Sequence, residues 1–309
     1  VGPADRRVVR VGHGELLQRR VRARQARDQP STHEAIGREG ALAPLVELAG
    51  TPDPKDAPAR CQAICAIRRL ANDAMNRIEA VQAGCLPPLA AAGKATDVEM
   101  QREVCAALCN LSLSDENKPS IASSGCLSVL VNLAQSQDVE VARQACGALA
   151  NVAEDVETHA ALVYEQSVHF LTFLMRSRHL PVYREATRGI ANLLTTRSNH
   201  ALFLEEEGLR SLFRVAKSDD PQCQLHASLG YRKLSPNVNC HKGVVNGKGL
   251  KPLFFLALQV DDLKVQIQAA TALRDLCANP EYKWAFYQEG GLTAVISLAQ
   301  KEDADLRRL

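Results

Sequence analysis

The stretch VARQACGALANVA, residues 141–153, decides how the chain is read, because it returns at a fixed interval. QREVCAALCNLS (101–112) precedes it in register, and YREATRGIANLL (183–194) follows. More divergent copies stand at CQAICAIRRLAND (61–73), LHASLGYRKLS (225–235) and IQAATALRDLCAN (267–279). Aligned, they place Arg69, Asn110, Asn151, Asn192, Lys233 and Asp275 in one column, with steps of 41 residues and a last step of 42. A self-similar period of this length marks helical units stacked in a line, so the expected fold class is an all-α solenoid.

A second motif sets the units: GALAPLVELA (40–49), GCLPPLAAAG (84–93), GCLSVLVNLA (125–134), QSVHFLTFLM (166–175), EGLRSLFRVA (207–216), KGLKPLFFLA (248–257) and GGLTAVISLA (290–299). Apolar residues at their third, sixth and ninth positions approximate one helix face. Glycine at the start permits a tight bend from the preceding helix. Each unit then reads as a helix, a polar loop such as KATDVE (94–99), QSQDVE (135–140), SRHLPV (177–182) or SDDPQ (218–222), a longer helix, and a short helix returning to the next start. Units are expected to start near 40, 84, 125, 166, 207, 248 and 290, the last truncated, within a repeat domain spanning 33–309. The three extra residues of the first unit fall in the Pro-rich GTPDPKDAPA (50–59). Residues 1–32 form an Arg-rich segment without a clear repeat, and a chain that begins at Val1 and stops inside a repeat reads as a fragment.

Composition agrees with stacked helices. Aromatic residues make up 4% of the chain, whereas a β-fold draws on Val, Ile, Tyr and Phe. The formal net charge of +2 conceals eight arginines within residues 1–30, so the repeats themselves are mildly acidic and nucleic acid is not an expected partner. No stretch approaches eighteen apolar residues. The ten cysteines occupy repeat columns: Cys105 and Cys146 share one with Ile64, Thr187, Ser228 and Ala270. Cys85 and Cys126 share another, read as Ala41, Val168, Gly208, Gly249 and Gly291 elsewhere. No His or second Cys pair completes a zinc set around Cys61/Cys65 or Cys105/Cys109. The cysteines are therefore expected as small buried thiols in a reducing, cytoplasmic compartment, with no metal and no cofactor.

The period, the G-x-L-x-x-L start and the A-x-x-A-L-x-N-L helix together resemble the armadillo repeat family over roughly residues 33–309. RQACGALANVA is especially similar to repeats of vacuolar-type armadillo adaptors and β-catenin-like proteins. The resemblance implies a right-handed superhelix in which the third helices of the units line a concave groove. It also implies that an extended peptide lies there with its main chain held by the Asn column. Asn110, Asn151 and Asn192 fit that role, because a carboxamide matches both the donor and the acceptor of a peptide unit. A second reading of the same column is that these side chains cap or crosslink local backbone. Eight residues before each Asn stands an arginine: Arg102, Arg143 and Arg184. With Arg188 and Lys233 they would favour an acidic ligand, unless they pair with Glu99, Glu103, Glu140 or Glu185.

One departure bears on the cargo. Importin-α-like receptors carry Trp four residues before the Asn, where this chain has Ala106, Gly147 and Arg188, so a nuclear-import receptor is not expected. GVVNGKG (243–249) is spaced wrongly for a phosphate loop, and Gly249 is assigned to a bend. The Asn110-Leu111-Ser112 glycosylation pattern lies on a repeat helix and is set aside. The eight histidines show no fixed offset to Cys, Ser or Asp, and His226 reads as a groove contact or a solvated side chain. The expected function is a non-catalytic scaffold or adaptor holding an extended protein segment. The alternatives are a substrate-recognition arm of a larger enzyme such as a ubiquitin ligase, or a membrane-tethered vacuolar-type adaptor. Nuclear or vacuole-surface association is compatible with each.

Overall fold

A computed structural model of the chain describes residues 32–301, together with Asp303 and Leu306. The Arg-rich segment up to residue 31 lies outside the described residues. Among those described there are twenty α-helices, four single 3₁₀ turns and no strand. The helices, numbered in chain order, fall into three rows. The first row follows the unit starts: α2 (Leu42–Ala49), α5 (Leu86–Ala92), α8 (Cys126–Leu133), α11 (Ser167–Leu174), α14 (Gly208–Val215), α17 (Leu250–Leu258) and α20 (Gly291–Ala299). The long row is α3 (Ala57–Leu70), α6 (Val98–Leu111), α9 (Val139–Val152), α12 (Leu180–Leu193), α15 (Pro221–Leu234) and α18 (Leu263–Cys277). The return row is α1 (Thr32–Arg38), α4 (Ala74–Gln82), α7 (Lys118–Ser123), α10 (His159–Tyr164), α13 (Asn199–Glu205), α16 (Val238–Asn246) and α19 (Lys283–Gln288).

Each long helix packs against the long helices before and after it. Between the rows runs one continuous apolar core from Leu42 to Ala294, with Ile64, Leu108, Leu149 and Leu212 at its centre. No short helix of this kind is stable alone in water, so stacking supplies the stability that propensity cannot.

Local chemistry explains where the long helices begin. Asp97, Asp138, Asp220 and Asp262 each accept a hydrogen bond from a first-turn backbone N–H, at 2.7, 3.0, 2.9 and 3.3 Å. In α12 the same position holds His179, which makes no side-chain cap.

The bend between return helix and next unit requires a left-handed residue. Among the described residues seven have positive φ: Gly40, Gly84, Gly125 and Gly290, but also Gln166, Glu207 and Lys248. A side chain at such a position costs about 1–2 kcal/mol, so packing holds three bends that glycine makes freely elsewhere. The bend assigned to Gly249 therefore falls on Lys248. Gly249 is needed instead for close approach, since a Cβ there would meet the Phe213 ring at 2.5 Å. The residue after each bend except Ala41 is buried, and the left-handed Gln166 puts Ser167, not Val168, in the Cys85/Cys126 column.

Candidate functional site

The Asn column lies near the C-terminal ends of α6, α9 and α12, where stacking brings each Asn against the preceding long helix. Nδ2 of Asn110 donates to the Arg68 carbonyl at 3.0 Å, and Nδ2 of Asn192 to the Ala150 carbonyl at 2.9 Å. Nδ2 of Asn151 donates to the Cys109 carbonyl at 3.3 Å and to Ser112 Oγ at 3.0 Å. The three side chains thus crosslink successive units, each reaching back 42 residues. The carbonyl acceptor also fixes the carboxamide orientation, because the reverse would face two oxygens together.

The remaining capacity of each Asn differs. None of the three Oδ1 atoms accepts a hydrogen bond from the described residues, and none is a buried atom lacking a partner. Asn110 uses its second N–H on Asn72 Oδ1 at 3.3 Å. Asn192 leaves one N–H and its Oδ1 open, and is half-buried. Asn151 is only 4% exposed. It is first a structural crosslink, where the sequence suggested a solvent-facing side chain.

The arginine column is occupied by intrachain carboxylates. Arg102 pairs with Asp138 at 2.6 Å and Arg184 with Asp220 at 2.5 Å, so each braces its unit to the N-cap of the next long helix. The guanidinium of Arg102, with the Val141 N–H, holds the Asp138 carboxyl down to about 2. Arg143 would meet residue 179 in the same register, but that residue is His179, and Arg143 turns to Glu140 on its own helix at 2.5 Å. Arg188 is clamped by Glu185 at 2.8 Å, Glu154 at 3.1 Å and the Gly147 carbonyl at 3.1 Å. Glu154 also accepts from the buried Lys118, which binds Asp115, so a run of alternating charges crosses three units. Among the described residues Lys233 and Arg232 on α15 have no such partners. At Asp275 the ladder continues with opposite polarity, its Oδ2 accepting from Ser235 Oγ at 2.8 Å.

Sequence reasoning missed a second column, carried by the return helices. His159, His200 and His241 stand 41 residues apart, and each points Nε2 at the carbonyl just past a long helix: Ala153, Leu194 and Ser235, at 2.9, 2.8 and 2.7 Å. Those carbonyls would otherwise be orphaned helix ends. Arg77 Nε does the same for Ala71 at 2.9 Å. The signal was present as three histidines at the repeat period, but a search for catalytic neighbours passes over it.

Burial lowers the pKa of His200, and burial together with Arg188 takes His226 down to about 4. Both are therefore neutral in the folded chain at pH 7. Protonation favours the unfolded chain, so their contribution is complete above about pH 6.5 and is lost as pH falls toward the folded values. The melting temperature is expected to drop between pH 6.5 and 4, and His226→Gln should flatten that slope. An unchanged slope in the variant would remove His226 as its source.

All ten cysteines are free. Burial pushes the Cys85 and Cys105 thiols up to about 12, and Cys109 up to about 11, so they remain protonated and unreactive near neutrality.

Two adjoining segments, residues 73–113 and 114–154, match the family model for the armadillo/beta-catenin-like repeat. No curated protein matches the chain. Among solved structures, an engineered protein superposes with TM-score 0.83 at 27% identity, covering 89% of this chain and 68% of its own. A computationally designed armadillo repeat protein for modular peptide recognition gives TM-score 0.70 at 21% identity, over 76% of this chain and 99% of that one. Another designed armadillo repeat protein, solved in complex with the peptide (KR)4, gives 0.68 at 21% identity, with the same coverage. The matched repeats, the shared fold and the three-row register agree: residues 73–154 are armadillo/beta-catenin-like repeats, and the described chain is an all-α solenoid with the fold of armadillo-repeat structures.

Proposed function

We propose that this chain is a non-catalytic scaffold that holds an extended protein segment along α6, α9 and α12. The observation that carries the reading is the row of carboxamides each fixed by a hydrogen bond to the preceding long helix, of which the half-buried Asn192 keeps one N–H and its Oδ1 open. Three rungs of stacked helices at about 8–10 Å span roughly 20 Å, the length of about six extended residues. Preorganised side chains lose little freedom on binding, which is where such a row gains affinity over flexible contacts. The designed repeat proteins that bind peptides share the fold and lend support by analogy.

The acidic preference suggested by Arg102, Arg143, Arg184 and Arg188 narrows to one end. Those four guanidiniums already face carboxylates, whereas Arg232 and Lys233 adjoin the rung after Asn192 and remain unpaired. An acidic residue of the ligand is therefore placed beside α15, with its backbone on Asn192. No helix among the described residues is long and apolar enough to cross a membrane. The free thiols suit a reducing compartment such as the cytoplasm.

The test is capture of protein segments by residues 31–309, followed by fluorescence anisotropy of the captured peptides. Asn192→Ala is expected to weaken binding at least tenfold while costing only about 1 kcal/mol of stability, the typical value of one hydrogen bond. Arg232→Glu with Lys233→Glu should selectively remove acidic peptides. Equal affinity in all variants would move the function to another face.

A further inference from the structure

The unit starting at Gln166 departs from its neighbours on the edge opposite the Asn column, at the loops between first-row and long helices. A cleft of about 410 Å³ opens there between this unit and the one before. Its floor is apolar, formed by Val139 and Ala142 of α9 with Val182 of α12, and Phe173 of α11 stands at its lip. Phe173 is 62% exposed.

The repeat register explains why the cleft is open. Forty-one residues on from Phe173 stands Arg214, whose guanidinium reaches back and donates to the Met175 carbonyl across the corresponding unit boundary. Phenylalanine has no donor for the equivalent carbonyl, that of Ala134, so the same closure is not made. The chain also changes charge at this boundary. Where Asp138 and Asp220 stand on either side, this unit has an exposed His179, and the preceding Arg178 is exposed and free of ion pairs among the described residues. Arg176 lines the cleft, donating to Ser211 Oγ at 2.9 Å and pairing with Glu207 at 3.4 Å. The cleft is thus lined by Arg176 and no carboxylate, with Arg178 adjoining the lining in sequence, in a solenoid whose repeats are mildly acidic.

We propose that this cleft is a second docking site, separate from the Asn row, for a linear protein motif in which one aromatic or large aliphatic residue is flanked by Asp or Glu. The apolar residue packs on Phe173, Val139 and Val182, and the carboxylates face Arg178 and His179. Charge complementarity selects this occupant. A basic motif would meet Arg176 and Arg178 with no carboxylate in the cleft lining, and an uncharged apolar one would leave them unused. A second site on one rigid array would let the protein tether two segments, with the effective-concentration gain that linkage brings.

The experiment uses the intact chain and a peptide array in which a central Phe, Leu or Trp is flanked by two Asp or Glu, with matched Asn/Gln and central-Ala controls. Expected are binders that need both the central residue and the acids. Their affinity should fall at least tenfold in Phe173→Ala and in Arg178→Glu, and remain unchanged in Asn192→Ala. His179→Asp is the internal control for folding. It should raise the melting temperature by restoring an N-cap acid while weakening the same peptides. An array without acidic–apolar binders, or binders indifferent to the Phe173 and Arg178 variants, would overturn the proposal. Binders lost in Asn192→Ala would assign the motif to the row described above instead.

Discussion

Gly208→Ala is expected to destabilise the chain by about 2–3 kcal/mol, in the upper range for overpacking a filled core. A Cβ at Gly208 would lie 2.2 Å from Phe203 Cε2 and 2.3 Å from Cδ2. Phe203 is fully buried, so its ring has nowhere to swing. The pair is one instance of a compensation that runs along the array. Matching positions include Ile121 with Cys126, Leu162 with Ser167, and Phe286 with Gly291, whereas beside Val244 and Gly249 the Phe213 ring takes the space and Ala80 with Cys85 is smaller. Volume moves between the two partners while their sum stays within what one inter-row space accepts. The double variant Phe203→Leu/Gly208→Ala should therefore recover most of the loss, approaching the Leu162/Ser167 arrangement. Denaturant midpoints of the wild type, both single variants and the double variant measure this coupling directly. Additive effects would show that the two positions do not share a space.

Asn151→Ala should cost about 2 kcal/mol, more than Asn110→Ala or Asn192→Ala. Removing the carboxamide strips a donor from the Cys109 carbonyl and from Ser112 Oγ, and Ser112 is fully buried. Leaving a buried acceptor unmet costs about 1–3 kcal/mol, while water can replace the lost bond at the half-exposed Asn110 and Asn192. Thermal and urea unfolding of the three variants would rank them. Equal losses at all three positions would show that burial does not set the cost. The ranking also decides which residue can report on ligand binding. Asn192 can, whereas Asn151 would confuse binding with folding.

The architecture was legible because the repeat is written in apolar side chains, which carry both period and face. The column of Asn110, Asn151 and Asn192 was equally visible. Its partners were not, since they are backbone carbonyls 42 residues away, and a carbonyl looks the same under every side chain. The arginines misled in a related way. The acids beside them in sequence were weighed as partners, but Arg102 and Arg184 reach Asp138 and Asp220 in the next unit. Those aspartates were read only as turn residues, although the same carboxylates cap helices. At the bends, glycine marked four of seven positions, and Gln166, Glu207 and Lys248 carried no compositional sign of their conformation.

The inter-unit crosslinks also give the array a direction. Each Asn is the donor and the unit before it supplies the acceptor. Detaching a unit from the C-terminal side exposes a carbonyl, which water satisfies at once, and frees the departing carboxamide into solvent. Detaching one from the N-terminal side leaves the carboxamide behind, partly enclosed by its own unit. This polarity holds for Asn110, Asn151 and Asn192 and reverses at Asp275, so the cost of opening differs between the middle of the array and its C-terminal end.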